Sequence, residues 1–359
     1  MTTASTSSPP GIENTFFNNL KITMTVVVLV LLPAIVMVLV TWAATGEPQG
    51  AATWASIPAI VTIAAAFAAG RGFAVRVAIV MALLAPLSIV AGSSPVAGAA
   101  LMALLSLMVG RLSLFGLHRT GLLVPVMLAW SLIDPPAWSS ETTVNRLDTP
   151  YLLWMTLIFF VGAMMPALIV PLLMRKKKPA ALTSHTQNEA IVYTVLITVL
   201  VTVATYIVLD NPKDFGGAFL IAAILVMAPI GTAQTLKPTV VRVISTIVGS
   251  VLVIVLLSQV DSLLIVYGFG LLFLIVAMMS RLSGNAWLYF VFMVPATAAL
   301  NSTTLTQVGE LGKQRMLDNI AGGIAVIIAA TLAIGYSNWA SRHRHADDSD
   351  PEVSALTSK

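Results

Sequence analysis

The sequence has no cysteine and very little charge. Its 359 residues contain Cys 0, which excludes disulfides, thiolate metal sites and cysteine nucleophiles. Charged residues make up 9% and hydrophobic ones 58%, whereas a soluble domain carries about a quarter charged residues. A soluble enzyme is therefore excluded. There is no Gly-x4-Gly-Lys-Ser/Thr phosphate loop and no dinucleotide fingerprint or nucleophile elbow in a strand–helix setting, so no nucleotide or cofactor chemistry of those kinds is expected. His118, His185, His343 and His345 fall in predicted loops or tails, so no buried metal site and no cofactor is expected.

What is present is long apolar stretches. Charge-free intervals mark membrane spans, because a charge at mid-bilayer is costly. About twelve spans of roughly twenty residues leave only tails and loops over. The expected fold is all-α: a polytopic membrane protein. The polar tail 1–20 precedes an apolar stretch too long for a signal-peptide core, which reads as a retained first helix. Six spans fall in 21–174. Glu47-Pro48 separates the first two, and Gly92-Ser93-Ser94-Pro95 splits the charge-free run 77–110 into the short third and fourth. The fifth, around 121–133, is also short, and the sixth runs 149–174. A basic linker, 175–189, begins with Arg175-Lys176-Lys177-Lys178, a topology determinant or anionic-lipid contact rather than a nucleic-acid site. Six more spans follow at 190–209, 216–235, 239–258, 262–280, 284–300 and 317–338, then a polar tail, 339–359.

Alternation from a cytoplasmic N-terminus places fifteen of the 19 Lys and Arg residues inside and four (Arg146, Lys213, Lys313, Arg315) outside. That bias follows the positive-inside rule and predicts an inner-membrane, multi-pass protein with both termini cytoplasmic.

Short motifs recur in order. Val75-Arg76-Val77 returns as Val241-Arg242-Val243, and Met108-Val109-Gly110-Arg111-Leu112-Ser113 as Met278-Met279-Ser280-Arg281-Leu282-Ser283. Val124-Pro125 returns as Val294-Pro295 and Leu147-Asp148 as Leu317-Asp318. The pattern predicts two parallel six-helix repeats, with a pathway between the halves.

In the second half, Arg242-Val243-Ile244-Ser245-Thr246-Ile247-Val248-Gly249 resembles the Arg-x-x-Gly-Thr-x-x-Gly signature of the fusaric acid resistance / aromatic acid exporter family, with Ser245 where Gly is usual. Pro229-Ile230-Gly231-Thr232 and Arg315-Met316-Leu317-Asp318 before Gly322-Gly323 are similar to its flanking elements. On this resemblance the sequence reads as a short form, with a linker and a tail where larger family members carry cytoplasmic domains. The resemblance implies export of small organic anions, often aromatic acids, alongside a periplasmic adaptor (membrane fusion) protein.

Candidate site residues follow from charge. Arg76, Arg111, Arg242 and Arg281 lie near predicted cytoplasmic helix ends. One reading is snorkelling to lipid headgroups; the other is a vestibule whose guanidinium forks bind carboxylates. Ser245 and Thr246 join them as a small polar face, which helix packing explains as readily. Arg315 and Asp318, three apart, share a face at the expected start of the last helix. They read as a dipole-complementing pair or as an outer gate and proton acceptor. Pro125 and Pro295 are expected to kink the fifth and eleventh helices. Trp42, Trp138, Trp154 and Trp339 suit interface belts, and Trp287 and Tyr289 fit anchoring or stacking on an aromatic substrate.

The expected function is secondary, proton-driven export of organic anions. The rivals are a passive anion channel and a non-transporting anchor for the periplasmic adaptor. A membrane enzyme is disfavoured, since the spans hold no paired catalytic acids or His cluster.

Overall fold

The computed structural model describes residues 12–45, 51–135, 145–173, 184–211, 217–228, 236–302 and 304–348. The Glu47-Pro48 turn, Trp138, the basic run at 175–178 and Pro229–Thr232 lie outside them. So do residues 1–11 and 349–359, the outer parts of the two tails. Among the described residues every regular element is helical.

In chain order the helices are α1 (Ile12–Thr45), α2 (Ala51–Ala91), α3 (Pro95–Ser113), α4 (His118–Gly121), α5 (Leu123–Ile133) and α6 (Thr149–Leu173), then α7 (Gln187–Asp210), α8 (Gly217–Met227), α9 (Leu236–Leu256), α10 (Leu263–Leu282), α11 (Ala286–Asn301) and α12 (Leu305–Asp348). Eight of them are long and apolar enough to cross a membrane, so the chain is a multi-pass membrane protein.

Local chemistry sets the boundaries. Ser94 caps α3, accepting from the Ala97 amide, and Pro95 opens the helix where a missing N–H costs nothing. Thr186 and Glu189 form a capping box at the start of α7. Asp148 accepts from the Tyr151 amide at the start of α6, as an N-cap ahead of Pro150 should. Gly70, at φ 79 and ψ −171, breaks α2 into two arms. Only glycine adopts that conformation without strain. Both arms lie along α6: Ala55 and Pro58 of the first closely approach Gly162, while Ile79–Leu83 of the second line a groove with Leu153–Phe160. With α2 counted as a hairpin, α1–α6 supply the six apolar segments expected of 21–174.

Three expectations change. α3 is a full 19-residue helix rather than a short one. The polar tails are partly helical: α1 begins at Ile12 and α12 runs to Asp348. The largest change is at the start of α12, expected near residue 317 but found at Leu305. Glu310, Lys313 and Arg315 made this segment read as a loop, yet it has no proline and it packs: Gly312 sits against Val253 and the Ser250 carbonyl of α9. Three turns of helix therefore precede Asp318.

The helices pair in a recurring way. α1 packs on α2, and α7 on α8; α6 packs on both arms of α2, and α12 on α8 and α9; α5 packs on α2, and α11 on α9. Across the chain's midpoint, α3 runs along α7, α1 touches α10 and α5 meets α8. The α3–α7 seam is close-packed, with Gly110 against Thr194 and Gly98 against Leu209. One apolar core extends through α1–α8, and a smaller one around Val253, Leu257, Val266, Val294 and Val308 joins α9–α12.

At one end of the first six segments the Arg146 guanidinium acts as a clamp. It donates to the carbonyls of Leu132 (2.6 Å), Ile133 (2.9 Å) and Ile89 (3.3 Å), which end α5 and α2. These are terminal carbonyls with no helical partner. Arg146→Ala is expected to lower stability by roughly 2 kcal/mol, seen as a lower unfolding temperature in detergent; an unchanged temperature would make the clamp incidental.

Candidate functional site

The second six segments hold an unusual concentration of positive charge. Arg315 is 9% exposed and lies level with the middle of α9, because antiparallel packing sets Gly312 beside Ser250 and Gly323 beside Val243. Its guanidinium donates to the Thr297 hydroxyl of α11 and stacks 4.0 Å from the ring centroid of Phe219 on α8. The Thr297 hydroxyl donates in turn to the Met293 and Val294 carbonyls (2.6 and 3.0 Å), so its lone pairs are free for Arg315. Phe219 also meets Trp130 of α5, the two rings near-perpendicular with centroids 5.4 Å apart.

Arg242, in the second turn of α9, is partly buried and lies 4.7 Å from the centroid of Phe290. Arg281, exposed in the last turn of α10, lies 4.8 Å from that of Tyr289. Arg242 is within electrostatic reach of both Arg281 and Arg315. Among the described residues no carboxylate forms an ion pair with any of the three. Among the described residues the one ion pair is His185–Glu189, at 3.9 Å. Asp318, one turn from Arg315, is within its electrostatic reach but does not close on it.

Several buried polar atoms here have no hydrogen-bond partner: Nε of Arg242 and of Arg315, Nε1 of Trp130, Oδ2 of Asp318 and Oδ1 of Asn319. Asn319 spends its amide on the Arg315 carbonyl, at 2.8 Å. Buried polar groups are nearly always paired, and buried charges more so. Unpaired N–H donors on two guanidiniums, with no acid in ion-pair contact among the described residues, are groups to which an anion could hydrogen-bond.

Of the expected set, the structure brings together Arg242, Arg281, Arg315 and Asp318. Arg76 and Arg111 are exposed, and no hydrogen bond or ring contact among the described residues ties them to the cluster. Ser245 and Thr246 are buried on α9; the Ser245 hydroxyl donates back to the Val241 carbonyl, as a packing residue does. Arg315 and Asp318 are not at a helix start but in the third and fourth turns of α12. Pro295 leaves the Val291 carbonyl without its helical donor, and Gly249 packs against that carbonyl so tightly that a Cβ would come within 2.5 Å. Pro125 falls in the first turn of α5, where it removes no bond. Tyr289 belongs to the site, beneath Arg281. The side chain of Trp339 lies outside the described residues.

Phe219, Phe290, Thr297, Asn319 and Trp130 escaped sequence reasoning. Aromatic and hydroxyl residues are common in apolar spans, and which of them meet depends on helix rotation.

Residues 202–329 match the sequence profile of the family described as fusaric acid resistance protein-like. No curated protein matches the chain, and no solved structure does. The matched stretch runs from late α7 into α12 and contains all three clustered arginines with Asp318. The block that holds the arginine cluster is thus similar to the fusaric acid resistance protein-like family, within a multi-pass, all-α membrane protein.

Proposed function

We propose that the chain is a secondary transporter that exports organic anions, aromatic acids among them, across the bacterial inner membrane, with both termini cytoplasmic. One observation carries the reading: Arg242 and Arg315 stand inside an apolar helical bundle and, among the described residues, no carboxylate closes on either as an ion pair. A charge held there costs stability. Structural arginines avoid that cost by snorkelling or pairing; a site that must accept an anion and release it keeps the charge open. The match to the fusaric acid resistance protein-like family supports transport over catalysis.

Two parallel six-helix repeats form the scaffold in this reading, and the recurring helix pairings support it. The route runs within the second block and adjoins the first where Trp130 covers Phe219. In this reading Arg281 lies at the cytoplasmic mouth and Arg315 deeper. Asp318 is the proton acceptor, and export delivers the anion to a periplasmic adaptor protein.

The test is labelled-benzoate flux in proteoliposomes. Wild-type protein is expected to carry benzoate, and Arg242→Ala to abolish flux while inserting and eluting normally. Equal flux by the variant would contradict the assignment. Collapse of uphill transport by an uncoupler separates a coupled carrier from a passive channel. Absence of flux for every anion tested, with retained adaptor binding, would favour an anchor.

A further inference from the structure

We infer that the anion crosses this block along an ordered relay of three guanidinium–ring pairs: Arg281 on Tyr289, Arg242 on Phe290 and Arg315 on Phe219. Each ring holds its arginine while the anion is absent and takes it back when the anion moves on. The inference rests on the reading of the block as an anion route and adds how the anion is passed along it.

The three arginines account for every guanidinium–ring contact among the described residues, at 4.8, 4.7 and 4.0 Å. They come from three helices and are graded in depth: the last turn of α10, the second turn of α9 and the third turn of α12. Neighbours in the series are within electrostatic reach of each other. Tyr289 and Phe290 are consecutive, so they project about 100° apart around α11. That lets one helix serve arginines from two others. Phe219 also packs against the ring of Trp130, which helps to hold its position under Arg315.

The chemistry suits exchange. In a dry bundle an aromatic face stabilises a cation electrostatically, without hydrogen bonds. A carboxylate holds a guanidinium more strongly, through two parallel N–H···O bonds. Binding an anion thus forfeits a ring contact, and releasing it restores one. The difference between the two states is smaller than the full carboxylate–guanidinium attraction, so no subsite becomes a trap. Each vacated arginine is satisfied again, and the next, still without an acid partner, draws the anion forward. The ring is in effect a competitor that lowers apparent affinity at its own subsite.

This gives an outcome that plain packing would not. Phe219→Leu keeps an apolar side chain of similar reach but removes the π face. Benzoate affinity, titrated calorimetrically on purified protein, is expected to tighten about tenfold. Benzoate turnover in proteoliposomes should fall by a similar factor, and Phe219→Tyr should keep both values near wild type. If Phe219→Leu fails to insert, Phe290→Leu carries the same two expectations. Unchanged affinity and turnover would overturn the relay, leaving the rings as packing. Weakened affinity would overturn it too, since the ring would then touch the anion itself. In both cases wild-type flux would still stand. Wild-type protein that neither binds nor carries benzoate would overturn the anion-route reading and the relay together.

Discussion

Arg315→Met is expected to abolish anion flux and, in the same protein, to raise its thermal stability. The two effects share one cause. The guanidinium is buried on α12, with Thr297 and the Phe219 ring among its contacts and, among the described residues, no acid closed upon it. A buried charge without an ionic partner destabilises the fold, and exchanging it for an apolar side chain of similar length is commonly neutral or stabilising. Loss of two charge-assisted hydrogen bonds to the transported anion would cost roughly 3 kcal/mol, or about a hundredfold in flux. Arg315→Lys keeps the charge but not the planar fork, and should fall between the two. Benzoate flux and unfolding temperature, measured on the same preparations, check both halves. If Arg315→Met lowers the unfolding temperature sharply, the residue holds the bundle together and the site assignment loses its basis.

Asp318→Asn should uncouple the protein. Accumulation of benzoate against its gradient is expected to disappear, while flux down a gradient continues. The alternative role, complementing the dipole at the start of a helix, acts within the first turn. Because α12 starts at Leu305, Asp318 lies in its fourth turn, beyond that reach. Its Oδ2 is buried without a partner, and Arg315 is close enough to feel its charge. Asparagine preserves the shape and removes the proton. Transport driven by an imposed pH gradient, with and without uncoupler, is the measurement; uphill accumulation at the wild-type level would take Asp318 out of coupling.

The sequence carried the element count because hydropathy and turn chemistry act locally. The turn expected at Gly92-Ser93-Ser94-Pro95 and the span expected from 149 fall where the structure opens α3 and α6. The start of α12 was hidden for the opposite reason. Glu310 and Lys313 are exposed there and Arg315 turns inward, a distinction set by helix rotation and invisible to a hydropathy window. The same rotation separates the repeated arginines: Arg242 faces Phe290, whereas Arg76, in the matching motif, is exposed. Leu147-Asp148 and Leu317-Asp318 likewise match in sequence but not in place, since one caps a helix and the other lies within one. Charge pattern singled out the arginines. It did not reveal the rings beneath them, because partners drawn from five helices leave no signal in spacing.

The central claim is that the transported carboxylate sits between Arg242 and Arg315 inside the second block. Locating the bromine of 4-bromobenzoate by anomalous diffraction in crystals of the wild-type protein tests it most directly. The account predicts a peak beside Phe219 and Phe290, with the carboxylate turned to the two guanidiniums. A peak in the seam between α3 and α7, with that pair left empty, would contradict it.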